Sequence, residues 1–336
     1  MKNLLLLLLV VLTAGCESLS YYSQAIRGQL GLMGAARPVD AWLADPATPP
    51  ELRSRLQVAQ RIREFGSQRL ALPQNGSYGS YAELDRPYAV WNVYAAGRFS
   101  VDPKQECFPF TGCVSYRGFF SEEEARRQAA RLREQGYDVY LGGVPAYSTL
   151  GWFDDPLLST FIKYPDVQLA RLVFHELAHQ RVYLKGDTTF NESFAVTVEE
   201  EGVRRWLEAA GRGGELAALR AARLRRQEFA ARVAQARERL AKVYQEKIPE
   251  EAMLVRKREE YDKLRADYPG IVPAEPNNAY LVSIALYTQL VPDFERLLAG
   301  CGGDLKEFYD RIEALAAAGR REARLALTSA GCRRPA

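Results

Sequence analysis

The most apolar stretch of the chain lies at its start, where residues 4–12 form an unbroken hydrophobic run behind Lys2. The run is about half the ~20 apolar residues that a bilayer-spanning helix needs. With the small residues Thr13-Ala14-Gly15 behind it, it reads as an export signal over residues 1–15. Residues 19–70 then show helical spacing: Pro38 suits the first residue of a helix, and Pro49-Pro50 mark the turn before another, giving an N-terminal helical layer over 16–75. Residues 88–94 and 113–119 are rich in aromatic and branched side chains between Gly and Pro breaks, which predicts strands. Ser121 with Glu124 makes a capping-box start for a helix to about Gln135, and Gly136 stops it before a short strand over 138–141. Residues 145–150 read as one more strand before the turn at 151–156.

Pro165-Asp166 open a helix running to about Tyr183, whose apolar side is Leu169, Leu172, Val173, Leu177 and Val182, with Gly186 just past its end. A second helix is expected from about Thr189 to Ala210. Residues 215–268, rich in Ala, Leu, Arg, Glu and Lys and interrupted by Pro249, predict a long charged helical hairpin within 211–270, its charges forming a solvated face. Helices near 277–299 and 303–328 follow, in a segment 271–336 expected to complete the domain built on residues 76–210. The fold class expected is α+β, mainly helical, with a small β-sheet and a core over 76–210.

Composition adds limits rather than detail. At 336 residues and 47% hydrophobic, the chain can bury one large core or two modest ones. Its net charge of +3 comes from basic and acidic residues dispersed along the length, which argues against nucleic-acid binding. Leu12-Thr13-Ala14-Gly15-Cys16 resembles a bacterial lipobox with Thr13 where Leu is usual. Cleavage there makes Cys16 a lipidated N-terminus that tethers the chain to a membrane, and Glu17 leans towards the outer membrane, facing the periplasm. Cys107, Cys113, Cys301 and Cys332 remain, an even number in a compartment that permits disulfides. Cys107 and Cys113 flank a turn-rich segment and are paired here, leaving Cys301 with Cys332. Four cysteines allow three pairings and sequence does not choose strictly among them. A four-cysteine zinc site is disfavoured, because no CxxC pair occurs.

The chemistry concentrates in His175-Glu176-Leu177-Ala178-His179, an HExxH motif on a predicted helix. At 3.6 residues per turn, His175 and His179 stack on one face, the placement two imidazoles need to meet one zinc ion. Glu176 beside them suits a general base. Both of the chain's histidines fall in this motif, which weighs against two merely packed rings. A third ligand must then be another residue type, and Glu192 at the start of the next helix is the best candidate. The ordinary alternative is a capping box of Thr189 with Glu192. Glu199, two turns on, is placed to orient a ligating histidine, against a bland reading as a surface glutamate. Glu200 and Glu201 on neighbouring faces are weaker candidates for holding a substrate amine.

Residues 88–93, 107–109, 112–118 and 143–156, continuing through Phe174-His175-Glu176-Leu177-Ala178-His179-Gln180 and Phe190-Asn191-Glu192-Ser193-Phe194-Ala195, resemble a family of bacterial lipoproteins described as predicted aminopeptidases. The resemblance covers most of the mature chain. More distantly, HExxH followed by Asn-Glu-x-Phe-Ala is similar to the gluzincin peptidases, in which that Glu is the third zinc ligand. This favours Glu192, although its spacing of thirteen residues from His179 is tighter than usual there. The resemblance implies a zincin-like core, one Zn2+ and peptide hydrolysis, as an aminopeptidase. An oxyanion donor is also needed. Tyr287 is preferred over Tyr280, seven residues away on one predicted face, and over Tyr147. The segment around Ala146 and Tyr147 is a candidate edge strand for an extended peptide, and Asp154 and Asp155 are candidates for binding an α-amine. A rival from another class is a zinc-containing scaffold lipoprotein without turnover.

Overall fold

The computed structural model describes residues 21–108, 112–329 and 332; the export signal, Cys16 and Glu17 lie outside them. After α1 (21–35) come β1 (Arg37–Pro38), α2 (Val39–Ala44) and α3 (Pro50–Leu70). Next are β2 (Ser80–Ala82), β3 (Val90–Gly97), β4 (Glu106–Phe108), β5 (Gly112–Val114), β6 (Tyr116–Phe119), α4 (Glu122–Glu134), β7 (Tyr137–Val144) and β8 (Leu157–Leu158). Helices complete the described chain: α5 (Asp166–Arg181), α6 (Thr188–Ala209), α7 (Gly213–Val243), α8 (Glu250–Asp267), α9 (Asn278–Thr288), α10 (Val291–Gly300), α11 (Leu305–Ala317) and α12 (Arg320–Ser329). The protein is mainly helical with small sheets, an α+β architecture. None of the described helices is long and apolar enough to cross a membrane.

Several expected elements are redrawn. The N-terminal layer is not helical throughout, because β1 pairs antiparallel with β2, which pairs in parallel with β8. Pro38 is extended at ψ 136° and precedes α2 instead of opening it. Residues 113–119 are two strands, since the Ser115 amide leaves the ladder to donate to Thr188 Oγ1 at 3.1 Å; β5 pairs with β4, and β6 with β3. The strand expected over 145–150 does not form. Pro145 has no amide proton for a ladder, so β7 ends at Val144 and residues 146–149 run without a strand partner among the described residues. The helix expected over 277–299 breaks before Pro292, which sits in the first turn of α10. That over 303–328 breaks at Gly319, where φ is +100°.

The main sheet has the order β6-β3-β7, antiparallel throughout. Alternation along β3 divides its side chains between two faces. Trp91, Val93 and Ala95 pack with Ala125, Ala129 and Leu132 of α4, whereas Tyr94 and Ala96 pack with Ala279, Val282 and Leu286 of α9. The largest core joins α3, α5, α6 and the last three helices through buried Leu56, Ile62, Phe174, Phe194, Phe294 and Phe308. The hairpin of α7 and α8 buries Val233, Leu240, Tyr261 and Leu264 against Tyr280 and Leu281 of α9. Its charges are not all solvated: Lys257 reaches Asp138 at 2.6 Å, and Arg223 and Arg226 reach Glu200. Disulfides join Cys107 to Cys113 across β4 and β5, and Cys301 to Cys332.

Candidate active site

Helix α5 carries His175, Glu176 and His179, and its start is pinned by Arg55, which donates to Ile162 O at 3.0 Å, Tyr164 O at 2.6 Å and Asp166 Oδ1 at 2.6 Å. The chain leaves α5 at Val182, turns through Gly186 in the left-handed region (φ +80°), and starts α6 at Thr188, with five residues between the Val182 cap and that start. Asn191 holds this connection closed: its Oδ1 accepts from Leu184 N at 2.7 Å and its Nδ2 donates to Leu184 O at 3.0 Å. The cap of α6 is Asp187, which accepts from Phe190 N at 3.0 Å. The Thr189 capping box is therefore not formed, and the Glu192 carboxylate turns towards α5.

There it meets the two imidazoles. His175 Nε2 lies 3.2 Å from His179 Nε2 and 3.3 Å from Glu192 Oε2, and His179 Nε2 lies 3.5 Å from the same oxygen. On its other side, His175 Nδ1 is 3.0 Å from Glu199 Oε2. An Nδ1–H donating to that carboxylate leaves Nε2 free to present its lone pair inwards to a cation. Three electron-pair donors thus converge on one point, an arrangement that repels itself unless a proton or a metal cation sits among them. A tetrahedral ion with bonds of about 2.0–2.1 Å sets its ligands about 3.3–3.4 Å apart, and the observed edges lie close to that value. The donor set therefore fits a divalent ion. His175, His179 and Glu192 are the group of possible metal ligands found among the described residues.

The electrostatics carry the same demand. Burial alone would lower the pKa of His175, yet Glu192 and Glu199 hold it well above the ordinary value. Burial would likewise raise Glu192, but the two histidines pull it well below the usual carboxylate range. Glu176, in contrast, is pushed up by burial against the pull of the same histidines.

Glu199 is no surface residue: it is buried and also paired with Arg171, whose Nε donates to Glu199 Oε1 at 3.0 Å. Tyr116 from β6, which sequence reasoning missed, donates to Glu192 Oε1 at 3.2 Å. Gln180, one residue past His179, ties α5 to two loops, donating to Ser77 Oγ at 3.1 Å and Asp155 Oδ2 at 3.3 Å and accepting from Asn75 Nδ2 at 2.8 Å.

A cavity of about 430 Å³ opens beside this centre, with His175, Glu176, His179, Glu192, Ala146, Tyr147 and Tyr287 among its lining. The Tyr287 ring stacks on His175 with centroids 6.1 Å apart. Other sequence candidates lie elsewhere. Tyr280 donates to Ile271 O and packs on Tyr140. Glu200 pairs with Arg223 and Arg226, and Glu201 with Arg204 and Arg205. Asp154 is exposed and does not line the cavity, and buried Asp155 accepts from Thr149 N at 3.0 Å and Thr149 Oγ1 at 2.8 Å. Neither aspartate is set to meet a substrate amine.

No curated protein and no solved structure matches the chain. With the site's donors and their supports in place, the family match extends over residues 20–327, and the chain belongs to the family described as "Putative aminopeptidase".

Proposed function

We propose that the protein is a zinc-dependent peptidase with a zincin-like core, in which His175, His179 and Glu192 hold one Zn2+. The observation that carries this reading is the convergence of two imidazole nitrogens and one carboxylate oxygen at mutual distances of 3.2, 3.3 and 3.5 Å. Bound zinc supplies Lewis acidity, acidifying water and polarising a carbonyl. Glu176 lines the cavity next to the ligands, where its carboxylate is placed to accept a proton from the attacking water and return it to the leaving amine. Glu199 and Tyr116 hold the ligands in place. Tyr287, stacked on His175 in the cavity wall, is the proposed donor to the developing oxyanion. Residues 146–148 line the cavity outside any strand and offer backbone groups to a peptide.

The lipobox-like sequence supports attachment through Cys16, placing the enzyme in the bacterial envelope at the outer membrane, facing the periplasm. Residues 76–210 with the helices of 271–336 are read as its catalytic unit.

The test compares hydrolysis of peptides and aminoacyl amides by wild-type and Glu176→Gln protein, each with its zinc content measured. The expected result is equal zinc and a loss of at least about a hundredfold in turnover for the variant. Equal activity would remove the proposed base. Full zinc without turnover on any peptide library would favour a zinc-holding scaffold.

A further inference from the structure

We propose that Ile26 and Leu30 of α1, with Trp152 and Phe153, form an apolar rim that docks on the lipid bilayer to which Cys16 ties the chain. Docked this way, the mouth of the cavity lies at the membrane surface. The proposal rests on the attachment through Cys16 read above and is independent of the peptidase reading.

The rim starts inside the cavity. Tyr22 of α1 lines it, and Ile26 and Leu30 follow at steps of four residues, so the three share one side of the helix and form a ridge leading outwards. Ile26 and Leu30 are 59% and 63% exposed. Leu150 lines the same cavity, and the chain runs on from it to Trp152 and Phe153, 75% and 49% exposed. Two apolar strips therefore leave one cavity for solvent. The other exposed large apolar side chains among the described residues, Tyr88, Leu224, Val255, Ile271 and Leu325, stand singly on separate segments, as scattered apolar surface commonly does. Both strips are held in place. Gln24 Oε1 accepts from Phe120 N at 3.1 Å, Tyr21 stacks on Phe108 with centroids 5.3 Å apart, and α1 passes so close to Phe120 that a Cβ on Gly28 would lie 2.1 Å from its ring. Thr149 Oγ1 accepts from Phe153 N at 3.1 Å and donates to Asp155 Oδ1 at 2.8 Å. Contact with a partner thus costs little ordering of these elements.

What covers the rim follows from where the chain is tied. Cys16 stands five residues before Tyr21, and that length of chain spans at most about 18 Å. Attachment through Cys16 therefore holds the start of α1, and with it the cavity wall, beside the bilayer before any contact of its own is counted. A weak contact then suffices, because the tether makes it intramolecular. Exposed apolar side chains held there lose water on entering the boundary of headgroups and acyl chains, and Trp is a residue type that this boundary favours. Arg27, exposed between Ile26 and Leu30 in the sequence, suits anionic headgroups. Asp154, exposed after Phe153, limits the depth: a carboxylate keeps its water, so the contact is shallow and interfacial.

The experiment uses the full protein as its cell processes it, reconstituted into vesicles of equal parts phosphatidylethanolamine and phosphatidylglycerol whose acyl chains carry bromine near the headgroups. Trp152 is the exposed one of the chain's four tryptophans, so the fluorescence difference between wild type and Trp152→Ser reports on it alone. Insertion to the depth of an interfacial helix, about 5–10 Å, is expected to quench that difference at least about twofold. Leu30→Asp, on α1 and away from the reporter, is expected to return most of the lost signal, because a carboxylate there resists desolvation. Protein that floats with the vesicles while Trp152 stays unquenched overturns the docking and leaves the attachment standing. Protein that does not float removes both. Quenching that Leu30→Asp leaves unchanged takes α1 out of the rim and overturns the proposal as stated. A dimer in detergent that Leu30→Asp dissociates assigns the rim to a second copy of the chain, which also overturns it. Turnover plays no part in these readouts, so failure of the peptidase reading would leave the docking standing.

Discussion

His175 Nδ1 and Glu199 Oε2 lie 3.0 Å apart across the interface of α5 and α6, and Arg171, one helical turn before His175, grips the other oxygen of the same carboxylate. Glu200, the next residue, pairs with Arg223 and Arg226 of α7. One side of the proposed metal centre is thus tied, through alternating charges, to the helical hairpin.

This chain of contacts predicts that Glu199→Gln lowers zinc affinity about 10–100-fold while leaving the ligands themselves intact. Arg171→Gln is expected to act in the same direction and more weakly, since it loosens Glu199 without touching His175. Competition against a chromophoric chelator measures both. Unchanged affinity in Glu199→Gln would mean that the ring orientation is set by packing alone.

Removing the metal gives a second expectation. Zinc held by the folded site and not by the unfolded chain, at a thousandfold excess over its Kd, should stabilise the folded state by about 4 kcal/mol, seen as a rise in Tm of several degrees. Dialysis against chelator should reverse it, and His179→Ala should abolish it. A Tm indifferent to zinc in the wild-type protein would count against the proposed site.

How much of this was legible beforehand depends on how local each signal is. The helical placement of His175, Glu176 and His179 follows from spacing within one turn, and α5 and α6 lie close to their expected bounds. Whether Glu192 caps a helix or faces α5 was open, because both outcomes use the same Thr-x-x-Glu pattern. Asp187 as the cap and Asn191 clamping Leu184 decide it, and both depend on how tightly the chain turns at Gly186. Tyr116 reaches Glu192 from 76 residues away through the register of β6 on β3, for which no local pattern exists. The strand expected over 145–150 failed for a reason that was visible, the missing amide proton of Pro145. The breaks at Pro292 and Gly319 were equally visible.

Acid stability is expected to depend on Glu201. Its carboxylate accepts from Arg204 Nε at 2.7 Å and Arg205 Nε at 2.7 Å. Burial would raise its pKa, but the two guanidinium groups hold it below the ordinary value. A depressed folded-state pKa contributes stability that is present above the unfolded value, about 4.3, and is lost as pH falls through the folded one. Glu201→Gln should therefore be less stable than wild type at about pH 7, by under about 1 kcal/mol because solvent screens the pair. The difference should close by about pH 3. Urea denaturation at both pH values measures it, and a gap that persists in acid would assign the effect to packing.

Gly202 sets the last expectation, because two general effects oppose each other there. In an exposed helix interior, Gly→Ala stabilises by about 1 kcal/mol. At Gly202, however, an added Cβ would lie 2.8 Å from Leu70 Cδ1 and 2.8 Å from Phe174 Cδ2, where α6 passes over α3 and α5. Both neighbours are fully buried, so neither has free space to move into, and overpacking of this kind costs about 1–3 kcal/mol. Crowding should win, giving Gly202→Ala a lower urea midpoint than wild type. Phe174 immediately precedes His175, so a shift of its ring should also reach the ligands and weaken zinc binding. Adding Phe174→Leu, which frees volume at the crossing, should recover part of the affinity if the effect travels by this route. A Gly202→Ala protein that is more stable than wild type, with unchanged zinc affinity, would show that the crossing has slack and that His175 is insulated from it.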